Sequence, residues 1–129
     1  MTEQELTALI IDDDIGKKDL IVEILQINGV RTESVTTTRE GLDLLEQRVY
    51  DLVFTDLNQE PDGTEVYRNA SSKGMSVYIV TGGGKPELIS KAERVAGNNL
   101  IIDSLVDKIT RAAEQAKQRK VNETKYNST

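Results

Sequence analysis

The apolar run Leu6-Thr7-Ala8-Leu9-Ile10-Ile11 stops on three consecutive carboxylates, Asp12, Asp13 and Asp14. Charges packed this closely repel unless a cation lies among them. The chain has no histidine and no cysteine. That excludes a Ser-His-Asp triad, a histidine general base, disulfides, and imidazole or thiolate metal ligands. A metal held here is therefore hard and oxygen-bound: Mg²⁺, Mn²⁺ or Ca²⁺. The competing reading is a helix start, since aspartate is favoured at N-caps and near the positive helix end. Asp14 fits that role alone.

Further residues of the same chemistry follow apolar runs elsewhere. Asp56 ends "DLVFTD", Thr81 and then Gly82-Gly83-Gly84 end "SVYIVTGGG", and Asp103 ends "LIID". The elements that must position them alternate. Leu6–Ile11 reads as a strand. Leu20, Ile21, Ile24, Leu25 and Asn28 then recur at helical spacing, with Gly29 placed to end the helix. "VRTESV" is a short strand. Thr37 and Glu40 stand in capping-box register before Leu42, Leu45 and Val49, which mark the face of a second helix. "DLVFTD" is a continuous apolar strand and "TEVYRNASS" a short helix. "SVYIVT" is a fourth strand. "KPELISKAERVAG" is a helix with Pro86 near its start, Leu88, Ile89, Ala92 and Val95 inward and Gly97 at its end. "LIID" is a very short fifth strand. Leu105, Ile109, Ala112 and Ala116 trace the last helix, with Ser104 and Asp107 in a weak capping-box register, and "NETKYNST" is expected to fray.

Five βα units with doubly apolar strands predict an α/β fold, a parallel sheet covered on both faces by helices. Right-handed crossovers and 129 residues favour the doubly wound, flavodoxin-like (βα)5 sandwich with strand order 2-1-3-4-5. One domain spans 1–129, with its core at 6–118. Ligands in such sheets bind beyond the carboxyl ends of the strands, where the order reverses. The strand-end residues above, scattered along the chain, therefore converge on one pocket. The aspartates among them are expected to hold a metal.

Composition narrows the function further. The net charge is −6, but residues 108–129 carry six Lys/Arg against two Asp/Glu, while residues 1–107 carry ten against twenty. An acidic body disfavours nucleic acid as a partner, and the basic end suits a solvated final helix. No run is long and apolar enough for a membrane span, and "MTEQELT" is unlike a signal peptide. The expected location is the cytoplasm, with no membrane partner.

"LIIDDD", "DLVFTDLN" and "YIVTG" resemble the receiver domains of bacterial two-component response regulators, including the single-domain chemotaxis (CheY-like) and sporulation-relay types. The resemblance runs from about residue 6 to residue 118. It implies that Asp56 is the phosphoacceptor of a Mg²⁺-dependent phosphorelay, charged by a histidine kinase or phosphotransfer protein. It implies that Asp12 and Asp13 bind the metal with Asp56, and that the backbone carbonyl of Asn58 completes the site. Thr81 takes the place of the switch hydroxyl, and Gly82 that of a small residue leaving room for the phosphoryl group. Such a phosphoprotein is not an enzyme beyond its own phosphorylation and dephosphorylation, and its output is contact with a downstream protein.

The sequence departs from that family where strand 5 should end in a lysine. Asp103 stands there, followed by Ser104. At an effective dielectric near 20, a charge pair about 4 Å apart is worth roughly 4 kcal/mol, so exchanging a cation for an anion matters. Lys85, on the glycine-rich loop "TGGGKP", is the substitute this points to. Leu100 replaces the usual strand-5 aromatic, and the Asp56–Thr81 interval is short. Two further readings stay open: a phosphorylation-independent pseudo-receiver acting as a binding module, and a small Mg²⁺-dependent phosphatase of the haloacid-dehalogenase type, suggested by the D-x-D spacing of Asp12 and Asp14.

Overall fold

The computed structural model describes residues 5–127, with side chains to Glu123. Five strands alternate with five helices: β1 Leu6–Ile11, α1 Ile15–Ile27, β2 Val30–Val35, α2 Thr38–Gln47, β3 Leu52–Thr55, α3 Gly63–Ser71, β4 Ser76–Val80, α4 Pro86–Ala96, β5 Leu100–Ile101 and α5 Leu105–Asn127. The strands form one parallel sheet in the order β2-β1-β3-β4-β5. This is the doubly wound order expected from the alternation of elements. No helix among the described residues is long and apolar enough to cross a membrane.

Alternation along the strands builds two cores. Leu6, Ala8 and Ile10 of β1 face α1 and α5, packing with Ile21, Leu25, Ile109, Ala112 and Ala116. Leu9 and Ile11 face the other side, where Leu45 of α2 and Val66 and Ala70 of α3 cover them. Leu57 and Ile79 meet Ala92 and Ala96 of α4. Phe54 and Tyr78, neighbours on β3 and β4, stack with ring centroids 5.2 Å apart. With β1, β3 and β4 buried on both faces, the middle of the sheet is a rigid platform that leaves only its ends to do chemistry.

Several helix ends follow the sequence signals. Gly29 has φ 78°, as a residue closing α1 requires. Thr37 accepts a bond from the Glu40 amide, and Glu40 bonds back to the Thr37 amide, completing the capping box. Thr37→Ala is expected to lower stability by about 1 kcal/mol, measurable by urea denaturation.

Other expectations need correction. Leu20 is exposed on α1. Val49 is exposed and lies beyond α2, because the helix ends at Gln47 and the chain turns toward β3. β5 has only two residues, and a 3-10 turn at Gly97–Asn99 precedes it. Ser104 takes a left-handed backbone, φ 57°, in place of the extended conformation of a capping residue. The tail expected to fray is helical as far as Asn127, and its last two residues lie outside the described ones.

Candidate functional site at the carboxyl edge of the sheet

β1 and β3 are adjacent, with Ile11 opposite Thr55. The residue after each strand is an aspartate, so Asp12 and Asp56 emerge side by side from the carboxyl edge. Backbone bonds fix both: the Asp56 amide donates to Ile11 O (2.8 Å) and the Asp12 amide to Val35 O (3.1 Å). Asp12, Asp13 and Asp56 each offer one carboxylate oxygen, and these oxygens lie within 4.8 Å of one another. Asp12 is 1% exposed and Asp56 5%, whereas Asp13 faces solvent.

Asp14 does not join the cluster. It caps α1, its side chain accepting from the Lys17 amide at 3.1 Å. Its own amide donates to Asp12 Oδ1 at 2.9 Å, which orients that carboxylate. The D-x-D pair needed by the phosphatase reading is thereby lost to helix capping.

Lys17, which sequence reasoning passed over, enters the cluster. Its Nζ lies 3.1 Å from Asp12 Oδ2 and 3.4 Å from Asp56 Oδ1, and it donates to Val80 O at 3.2 Å. Only 19% of the side chain is exposed. Asp12 Oδ2 is buried and receives no well-angled hydrogen bond; Lys17 meets it as a charge. Burial is the strongest influence on the Asp12 carboxyl and raises its pKa, against the lowering effect of the Asp14 amide and Lys17. Burial also acts most strongly on Lys17, downward, but its bonds and charge pairing with Asp12 and Asp56 outweigh it and leave the ammonium above its usual range.

Thr81 follows β4, buried, with its amide bonded to Ile101 O of β5. Its hydroxyl donates to Gly83 O (2.6 Å) and accepts from Asn58 Nδ2 (3.1 Å), which also donates to Gly83 O (2.7 Å). The Asn58 side chain thus ties the loop after β3 to the loop after β4. A Cβ at Gly82 would meet open space.

The other two residues singled out in the sequence stand apart. Lys85 is exposed at the start of α4 and pairs with none of the cluster carboxylates among the described residues. Asp103 has an 80% exposed side chain and pairs outward with Lys108 at 3.0 Å. That bond holds its carboxyl below the usual range.

The donor set fits a hard divalent ion: all oxygen, three carboxylates, and one buried oxygen of Asp12 without a hydrogen-bond donor. An anionic group docking over Asp56 would meet the Lys17 ammonium beside it.

Residues 8–120 match the sequence profile of the response regulator receiver domain. Over 85 residues, 65% of this chain, the sequence is 32% identical to the regulatory protein VirG of Agrobacterium fabrum, and the match spans 34% of that protein. VirG of Rhizobium rhizogenes is 31% identical over the same length, 35% of its own. The chain thus spans about a third of the curated relatives it matches. A response regulator receiver domain protein (CheY-like) from Methanospirillum hungatei superposes with a TM-score of 0.73 at 25% identity, over 89% of this chain and 98% of that one. The signal receiver domain of an HD domain-containing protein from Pseudomonas fluorescens shares the fold, with a TM-score of 0.75 at 17% identity, over 92% and 98% of the two chains.

Proposed function

The chain belongs to the response regulator receiver domain family, and on that premise we propose that Asp56 accepts a phosphoryl group from a histidine kinase or phosphotransfer protein. The observation that carries this reading is the meeting of Asp12, Asp13 and Asp56 at the switch point of the sheet. An Asp56 oxygen attacks phosphorus and forms the acyl-phosphate P–O bond. The bond from phosphorus to the donor breaks, and its electron pair leaves with the donor. Asp12, Asp13, Asp56 and the Asn58 carbonyl would hold a Mg²⁺ or Mn²⁺ ion, which when bound would supply charge neutralisation for the phosphoryl oxygens.

The remaining roles belong to the chain's own residues. Asp12, fixed by the Asp14 amide, keeps a carboxylate aimed into the pocket. The Thr81 hydroxyl serves as the switch: to meet the phosphoryl group it gives up Gly83 O, which loosens the Asn58 tie between the two loops. Gly82 leaves the approach open. The β4–α4 region would then present a changed surface to a downstream protein. We read 1–129 as one receiver domain acting in the cytoplasm, with no catalytic turnover beyond its own phosphorylation and dephosphorylation.

A pseudo-receiver that binds partners without phosphorylation is the second reading, favoured by the outward-facing Asp103 at the end of β5. Intact mass after incubation with Mg²⁺ and acetyl phosphate separates the two. The phosphoacceptor reading expects one added phosphoryl group on the wild type, lost in EDTA and absent from Asp56→Ala. An unmodified wild type supports the pseudo-receiver.

A further inference from the structure

We propose that Lys17, carried on the first turn of α1, is the cation that meets the phosphoryl group at Asp56. This rests on the phosphoacceptor reading and names a residue that reading leaves out. Lysine rarely hides its ammonium, and fixing so flexible a chain costs entropy. Position three of a helix is moreover an unfavourable place for a cation, because the helix dipole is positive there. Lys17 nevertheless lies folded over the cluster, its ammonium bonded to Asp56 Oδ1 and Val80 O and in charge contact with Asp12 Oδ2. Local sequence therefore does not explain its position. The carboxylates do.

Charge counting shows what the lysine changes. Three carboxylates carry −3, and Lys17 brings the cluster to −2. A divalent ion then makes it neutral. Without Lys17 the loaded site would stay at −1 before a group carrying about two further negative charges arrived. When the acyl phosphate forms, Asp56 gives up its own charge and the new charge sits on the phosphoryl oxygens. The ammonium already touches the reacting carboxylate, and its four-carbon stem lets it follow the charge outward. Neither Lys85 nor Lys108 is placed to do this: the first pairs with no cluster carboxylate among the described residues, and the second is bound to Asp103.

The test compares wild type, Lys17→Met, Lys17→Arg and Lys85→Met for the rate at which acetyl phosphate with Mg²⁺ adds a phosphoryl group, once thermal unfolding has shown that each folds. In that step an Asp56 oxygen displaces acetate from phosphorus, and acetate leaves with the electron pair. Lys17→Met is expected to label at least about tenfold more slowly. Lys17→Arg should recover most of the rate, and Lys85→Met should stay within about twofold of wild type. Equal rates for wild type and Lys17→Met overturn the proposal. So does a Lys17→Met that binds Mg²⁺ more tightly in an NMR titration yet labels as fast or faster, since that marks a counter-ion merely filling the cluster. If the wild type itself takes no phosphoryl group, the phosphoacceptor reading fails. Fluoroberyllate, a noncovalent phosphoryl mimic followed by ¹⁹F NMR, then decides on Lys17: weaker binding by Lys17→Met sustains its role, and equal or absent binding overturns it.

Discussion

Gly63→Ala is expected to lower stability by about 2–3 kcal/mol, although it adds a single methyl group. Gly63 opens α3, and its amide donates to Leu57 O at 3.1 Å. A Cβ there would press against the Asp56 carbonyl oxygen and lie 3.0 Å from Leu57 Cα. These are backbone atoms fixed between β3 and the site, so they cannot swing aside as a side-chain tip would. For a domain of this size the thermal midpoint should fall by roughly 10 °C, followed by circular dichroism. Gly82→Ala is the control, because its Cβ meets open space; its effect should stay within about 0.5 kcal/mol. The same displacement would move the Asp56 carboxylate off the cluster, so Gly63→Ala should also weaken Mg²⁺ binding.

Asp12→Ala is expected to reduce Mg²⁺ affinity by at least about a hundredfold, read by calorimetric titration. Asp12 is the most buried of the three carboxylates, with one oxygen held by the Asp14 amide and the other lacking a hydrogen-bond donor. Its loss removes a pre-oriented ligand and frees Lys17 from its nearest partner. Asp13→Ala should cost less, because Asp13 is exposed and water can take its place. Unchanged affinity in Asp12→Ala would place the ion elsewhere.

What the sequence disclosed and what it hid divide along one physical line. Strand ends were legible because an apolar run bounded by aspartate declares both a strand and its exit, and parallel topology brings such exits together. The convergence of the first-strand aspartates on Asp56 came from that logic. The family resemblance singled out Asp12, Asp13 and Asp56 among them, and local spacing disclosed the capping box at Thr37 and the turn at Gly29. Side-chain direction was not legible. Lys17 reads as one of two adjacent lysines on a helix surface. A signal did exist: a cation in the first turn, against the dipole, three to five residues after three carboxylates. Asp103 marked a change of charge at the end of β5, but only the fold shows that it turns outward to Lys108. Nothing in the local sequence marks Gly63, because its closeness to the Asp56 backbone is a tertiary fact. Val49 shared the spacing of Leu42 and Leu45 yet lies past the helix end, where periodicity stops meaning anything.

The most direct measurement locates the phosphoryl group. Wild-type protein treated with Mg²⁺ and acetyl phosphate would be digested and the modified peptide sequenced by tandem mass spectrometry, with hydroxylamine used to cleave acyl phosphates. The expected result is one hydroxylamine-sensitive phosphoryl group on Asp56. A phosphoryl group on any other residue, or none, would contradict the role assigned to Asp56.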